Sequence, residues 1–247
     1  MKAFWFALAF LTRLPTPRLD FADRDNQGRA LVWYPAVGAL IGGLLSLGVF
    51  LGQALVLPPL LLAALLLALW VWISGALHLD GLADCADAWA GGHADRARSL
   101  RILKDPAAGP MGVVAVVLVL LLKFAALASL TGEAWAWLWL APMLGRAAAV
   151  GLFLSTAYVR PGGLGAALVE APRRGAMLAL ATSAALALLI GWTGLAMLAA
   201  ALAVFLRWRA ECLARLGGFT GDAAGSLIER VETAALVAAC VVTLAVG

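Results

Sequence analysis

Apolar residues in this chain fall in runs, separated by short polar breaks. The first run covers residues 35–57 and ends at Pro58-Pro59. A second, 60–77, leads directly into an acidic segment, 78–87. After a polar stretch come runs at 111–130, closed by Thr131-Gly132-Glu133, and at 135–158, with Pro142 inside. Shorter runs follow at 176–190, at 195–206 with a helical extension to Leu216, and from Val231 to the end. A bilayer span needs roughly 20 mostly apolar residues. The pattern therefore predicts an all-α, polytopic transmembrane helical bundle of about 7 spans, the last three short enough to be tilted, partly re-entrant or buried against neighbours. The N-terminal stretch up to Arg13 is too short to span, and no small-residue cleavage site follows it. It predicts a helix at the membrane interface rather than a signal peptide.

Composition sharpens this picture. Of the 247 residues 64% are hydrophobic and 13% charged, where a soluble domain carries about 25% charged residues. No internal repeat, low-complexity linker or second domain is evident, so residues 1–247 are expected to form a single integral-membrane domain. The basic residues set its orientation. With the N-terminus in the cytoplasm, the cytoplasmic segments hold Lys2, Arg13, Arg18, Arg24 and Arg29, then Arg96 to Lys104, Arg160, Arg173 and Arg174, and finally Arg207 to Arg230. The opposite loops at 58–59, 131–133 and 191–194 hold none, and only Glu133 places an acid there. This positive-inside pattern accounts for the net charge of +4 without a nucleic-acid partner. The outer loops are too short to build a site, so any chemistry sits at the cytoplasmic face or within the helices. Cys85, Cys212 and Cys240 form no disulfide framework and no CxxC.

Three segments carry candidate chemistry. In His78-Leu-Asp80-Gly-Leu-Ala-Asp84-Cys-Ala-Asp87 the carboxylates are spaced i, i+4 and i+7, which puts them on one helical face. Like charges so close at a membrane edge repel, and a hard divalent cation shared with substrate phosphate relieves the repulsion. A solvated acidic helix end is the bland alternative. His78 lies off that face and is expected to be structural. Gly217-Gly218-Phe-Thr220-Gly221-Asp222 with Gly225 and Glu229 offers a glycine turn that admits an anion, followed by a carboxylate. A turn between helices with two surface acids would look the same. Lys104-Asp105, with Gly109 and Gly112, supplies a cation, a carboxylate and a flexible turn before a span. Lys123 and Arg146 lie inside spans, where cations face a cavity or a partner unless they snorkel. Arg146 suits bidentate phosphate contact. Acids, buried cations and glycine turns on one membrane side are the equipment of metal-assisted phosphoryl chemistry.

The order of these motifs resembles the cobalamin synthase family, the adenosylcobinamide-GDP ribazoletransferases. The resemblance covers nearly the whole chain: Phe10-Leu-Thr-Arg-Leu-Pro15, Tyr34-Pro-Ala-Val-Gly38, the His78 to Asp87 segment, Lys104-Asp105, Lys123, Arg146, and Gly217 to Glu229. One departure is Pro106, where members often carry serine. The resemblance implies a bacterial inner-membrane enzyme of late cobalamin (vitamin B12) assembly with its active site facing the cytoplasm. A ribose hydroxyl of α-ribazole, or of its 5′-phosphate, attacks the phosphate attached to cobinamide in adenosylcobinamide-GDP, and GMP leaves. It also implies Mg²⁺, held by Asp80, Asp84, Asp87 and Asp222, with Asp80, Asp84 and Asp222 in catalysis. Lys104, Asp105, Lys123, Arg146, Gly218, Thr220, Gly221 and Glu229 are then expected to bind substrate. Membrane lipid, a second copy of the chain and other pathway enzymes are the expected partners. A CDP-alcohol phosphotransferase shares the chemistry, but its pattern needs an aspartate where Leu77 stands and Ala-Arg where Ala83-Asp84 stands. Asp84-Cys-Ala-Asp87 is a DxxD of the prenyltransferase kind, but Asp222 and Glu229 lack the spacing of a second one. An ion-coupled transporter would be expected to show repeats and midplane charges, and the acids here gather at one edge.

Overall fold

The computed structural model describes residues 1–246 apart from 21, 94, 131, 161 and 164. Helices dominate: α1 (Lys2–Leu11), α2 (Arg24–Ala30), α3 (Tyr34–Ala54), α4 (Pro59–Ser74), α5 (Leu77–Gly91), α6 (Arg96–Ile102), α7 (Pro110–Ser129), α8 (Leu140–Ser155), α9 (Arg173–Leu189), α10 (Trp192–Leu216) and α11 (Gly221–Val246). Among the described residues, strand pairing is confined to one bridge between Tyr158 and Phe219. The all-α class is as expected, and the apolar runs map onto α3, α4 and α7 to α11 within a few residues at most ends. Two boundaries moved. α8 is preceded by a 3₁₀ segment, and α11 begins ten residues before the last apolar run. Residue 131 of the expected polar break lies outside the described residues.

Three segments combine the length and hydropathy of a span: Arg24–Ala54, Pro110–Ser129 and Trp135–Ser155. Pro59–Ser74 and Leu77–Gly91 make a fourth only if counted together across a bend of 87°. The expectation was seven. α9 has 17 residues, short of a full crossing, while α10 and α11 are long but carry charges along their cytoplasm-assigned ends. The outward face of α7, with Val113, Val114, Val117, Leu118, Leu121 and Leu122 all exposed, is the kind of surface a bilayer covers.

The bend between α4 and α5 has a local cause. Gly75 and Ala76 both take left-handed backbone angles, φ 64° and 58°. Glycine does so freely, while alanine pays roughly 1–2 kcal/mol. The reversal is held by Arg13, whose backbone N–H donates to the Ile73 carbonyl at 2.8 Å. α5 is thereby turned across the bundle's end. There it meets α11, the central helix, which packs against α5, α7, α8 and α10. Buried positions in its first half run all the way round, Ala223, Ala224, Ser226, Leu227, Ile228, Glu229, Val231 and Glu232 among them, as a core helix requires.

Candidate active site

α5 lies across the N-terminal turns of α7 and α11, and this placement organises its three aspartates. Gly81 makes the crossing possible, since a Cβ there would stand 2.6 Å from the Asp222 carbonyl oxygen. Farther along α5, Asp87 reaches the start of α7. Its Oδ2 accepts from the Gly109 N–H at 2.7 Å and its Oδ1 from the Gly112 N–H at 3.0 Å. It thus satisfies amides that a helix start leaves free and adds negative charge at the positive end of the dipole. Gly109 and Gly112 are small because this carboxylate docks on them: a Cβ on Gly112 would also press within 3.0 Å of Ala83. Asp80 is exposed and Asp84 half-buried. Burial, then the nearby charges of Asp80, Asp222 and Asp87, pushes the Asp84 carboxyl up to about 6. The acids therefore raise one another's electrostatic energy, the condition a cation relieves.

The facing wall comes from the glycine segment. Gly217, at φ 66°, ends α10. Phe219 then pairs with residues 157–159: the Val159 N–H donates to the Phe219 carbonyl and the Phe219 N–H to the Ala157 carbonyl, both at 2.9 Å. Gly218 serves this pairing, since a Cβ would stand 2.5 Å from Val159 Cγ1. Thr220 is buried and caps α11, accepting from the Ala223 N–H at 3.3 Å, and its hydroxyl donates to Asp222 Oδ2 at 3.3 Å. The same strand pairing delivers Arg160, whose Nη1 lies 2.7 Å from Asp222 Oδ2.

Beneath this layer is a charge cluster inside the bundle. Lys123 Nζ lies 2.6 Å from Glu229 Oε2 and 2.5 Å from Glu232 Oε2, and Arg146 pairs with Glu232. Arg146 Nη2 is also 3.4 Å from His78 Nδ1, and Lys123 sits 4.4 Å from the centre of a Trp70 ring. All four charged groups are buried, two cations against two carboxylates. Lys123, Arg146 and Glu229 were expected at substrate, and the structure gives each a partner within the protein.

A cavity of about 660 Å³ opens at this end. It brings together Asp80, Lys104, Thr220, Gly221 and Asp222 of the expected residues. Asp84, Asp87, Asp105, Gly218, Lys123, Arg146 and Glu229 are not in its wall. Asp105 is exposed and closes its own turn onto the Ala107 N–H at 3.0 Å. Among the described residues, no three of the His, Cys, Asp and Glu side chains converge closely enough to hold one metal ion. Sequence reasoning missed Arg160 and Tyr158, which line the cavity, and Glu232, the shared partner of both buried cations. The last had a signal: a lone acid opening an apolar run needs a cation, and two were at hand.

Fold and site together define a helical membrane protein with an acidic, cation-bordered cleft across one end of its bundle, suited to phosphate esters. The chain belongs to the cobalamin-5-phosphate synthase family, whose model matches residues 3–240. It is 51% identical over 240 residues to the adenosylcobinamide-GDP ribazoletransferase of Pseudomonas syringae pv. syringae (strain B728a), covering 96% of this chain and 98% of the relative. It is 52% identical to the protein of the same name from Pseudomonas aeruginosa, covering 96% and 97%. A relative of that name from Pseudomonas putida (strain W619) is 54% identical over 235 residues, covering 94% and 96%. No solved structure matches.

Proposed function

We propose that this chain is an adenosylcobinamide-GDP ribazoletransferase, joining adenosylcobinamide-GDP to α-ribazole or its 5′-phosphate with release of GMP. The observation that carries the proposal is the cleft itself. Asp80 and Asp222 face it from two helices, with Lys104 and Arg160 beside them, in a chain whose relatives carry that name over almost their full length. In the reaction, a ribose hydroxyl oxygen forms a bond to the phosphorus next to cobinamide. The bond from that phosphorus to the oxygen of GMP breaks, and the hydroxyl proton passes to a carboxylate, for which Asp222 is the candidate. Lys104 and Arg160 contact phosphate oxygens. Lys123 and Arg146 act below them, fixing α7 and α8 to α11 through Glu229 and Glu232.

The electrostatics of the acids suit a divalent cation, since Asp84 is raised by burial and then by three neighbouring carboxylates. Since no three of these acids converge on one point among the described residues, Mg²⁺ would be held by two of Asp80, Asp84 and Asp222 with substrate phosphate oxygens supplying the rest, while Asp87 supplies charge from its seat on α7. Bound there, it neutralises diphosphate charge and stabilises the leaving nucleotide. One integral-membrane domain in the bacterial inner membrane, seven spans, a cytoplasmic N-terminus and a cytoplasm-facing cleft complete the proposal, supported by the distribution of basic residues. The test is GMP release in lipid vesicles from adenosylcobinamide-GDP and α-ribazole, with Mg²⁺ or with chelator. Metal-dependent release is expected, and Asp84→Asn should lower it by roughly a thousandfold or more while the protein stays inserted. Release that ignores the metal, or near-normal turnover in Asp84→Asn, would sink the metal assignment; no release from the unmodified chain would sink the activity.

A further inference from the structure

His78 stands where the cavity meets the buried charge cluster. It lies in the first turn of α5, is 3% exposed and forms part of the cavity wall. Its main chain passes over Gly225 of α11, where a Cβ would stand 3.3 Å from His78 Cα. One side of the ring faces the core, with Nδ1 3.4 Å from Arg146 Nη2. A guanidinium has only protons to give, so Nδ1 is the accepting nitrogen of this pair. The ring is therefore neutral and carries its one proton on Nε2. That nitrogen has no partner among the described residues, and it is not one of the nitrogens enclosed without a partner, which are Trp70 Nε1 and Arg146 Nε. The Nε2–H is thus a free donor open to the cavity.

We propose that His78 is a substrate-contacting residue whose Nε2–H donates to a non-bridging oxygen of the phosphate under attack. The proposal rests on the transferase reading above. Position favours that oxygen: Asp80 follows His78 by two residues on α5, and Asp222 precedes Gly225 by three on α11, so the ring shares the cavity with both carboxylates. Polarisation favours an anionic acceptor. A hydrogen bond from Arg146 into Nδ1 draws electron density from the ring and strengthens Nε2–H as a donor. A neutral donor fixed in place gains most as charge gathers on the phosphate oxygen, which is the condition for lowering the barrier rather than for tighter binding alone. A neutral imidazole kept as an electrophile is an established device of this kind. The buried cluster then has a catalytic consequence. Glu232 pairs with Arg146, and Arg146 sets which nitrogen of His78 carries the proton. Arg146, expected at phosphate, acts on it through the ring.

The experiment has a spectroscopic arm and a kinetic arm. The chain has two histidines, His78 and the exposed His93. In His93→Asn labelled with ¹⁵N-histidine, the imidazole signals belong to His78 alone. They should show a neutral ring protonated on Nε2, and adding adenosylcobinamide-GDP with Mg²⁺ should shift Nε2 more than Nδ1. A proton on Nδ1, or an Nε2 signal that ignores the substrate, overturns the contact. This arm leaves His78 intact, so it stands even where a variant fails to fold. The kinetic arm follows GMP release in lipid vesicles for the unmodified chain, His78→Asn and His78→Gln. The asparagine amide oxygen takes the place of Nδ1 and can still accept from Arg146, but nothing replaces the cavity donor. The glutamine amide nitrogen reaches the place of Nε2 and keeps that donor. His78→Asn should lower kcat on the order of a hundredfold with KM little changed. His78→Gln should stay within about tenfold of the unmodified chain. Near-normal turnover in His78→Asn, or a loss in His78→Gln as deep as in His78→Asn, overturns the contact and leaves the transferase standing. Absence of GMP from the unmodified chain overturns the transferase reading and the contact with it.

Discussion

Glu232 is where the bundle is most exposed to a single change. It is fully buried and is shared by Lys123 and Arg146. Glu229, the other acid of the cluster, pairs with Lys123. The four formal charges cancel. Glu232→Gln preserves shape and removes one negative charge, leaving a net positive charge in the core with Arg146 deprived of its carboxylate. A unit pair at the 2.5 Å separating Lys123 from Glu232 attracts by roughly 7 kcal/mol at an effective dielectric of about 20. Much of that offsets desolvation when a pair is taken away whole, but not when one partner is left behind, for which about 3–5 kcal/mol is the usual loss. The variant should therefore be destabilised by about 3–5 kcal/mol. Adding Lys123→Met, which restores neutrality, should recover more than half of the loss. Equilibrium unfolding in mixed detergent micelles measures both. Wild-type stability in Glu232→Gln, or a double variant no better than the single one, would refute the idea that charge balance holds these helices together.

Two further outcomes follow from the acidic helix. Asp87→Ala leaves the Gly109 and Gly112 amides without an acceptor, so stability should fall by about 1–3 kcal/mol and exchange of those two amides should quicken; unchanged exchange would deny the docking of α5 on α7. Because the Asp84 carboxyl is pushed up to about 6, protons compete with a cation as pH falls through that value. Mg²⁺ affinity of the substrate-free protein should thus be flat above pH 7 and drop about tenfold per unit below 6, and a constant affinity down to pH 5 would contradict this.

Hydropathy made the helices legible because burial in protein and burial in lipid select the same residues. It failed at α11, whose first ten residues carry Asp222, Glu229 and Arg230 yet are helical. Their polarity is answered by α5, α7 and residue 160 rather than by solvent, and no local pattern contains those partners. For the same reason Lys123 and Arg146 could be recognised as buried cations while their partners could not be chosen. Phosphate and Glu232 satisfy an intramembrane cation equally well on paper. The aspartate spacing was read correctly as one face, but that face meets two helices: Asp87 ends up on α7, Asp84 between them and Asp80 in the open cleft. Arg160 was counted only toward orientation, because its approach to Asp222 depends on a backbone bridge between segments sixty residues apart.

The end of the bundle that carries the acids is also where α7 and α11 begin, so two positive helix termini point into the same region. On their own they would favour an anion there. The aspartates of α5 oppose that field, and Asp87 is the one that has settled into it, on the amides of α7. The remaining acids, with Asp84 held partly buried among them, keep the negative charge that the proposed cation would neutralise. On the proposed reading a diphosphate and a divalent ion arriving together would satisfy both demands, the phosphates meeting the start of α11 with Lys104 and Arg160 and the metal meeting the carboxylates. Either alone meets a repulsive half of the site. The arrangement thus predicts that metal and diphosphate bind cooperatively, each tightening the other, which is the behaviour a transferase needs if its reactive phosphate is to be charged and positioned in one step.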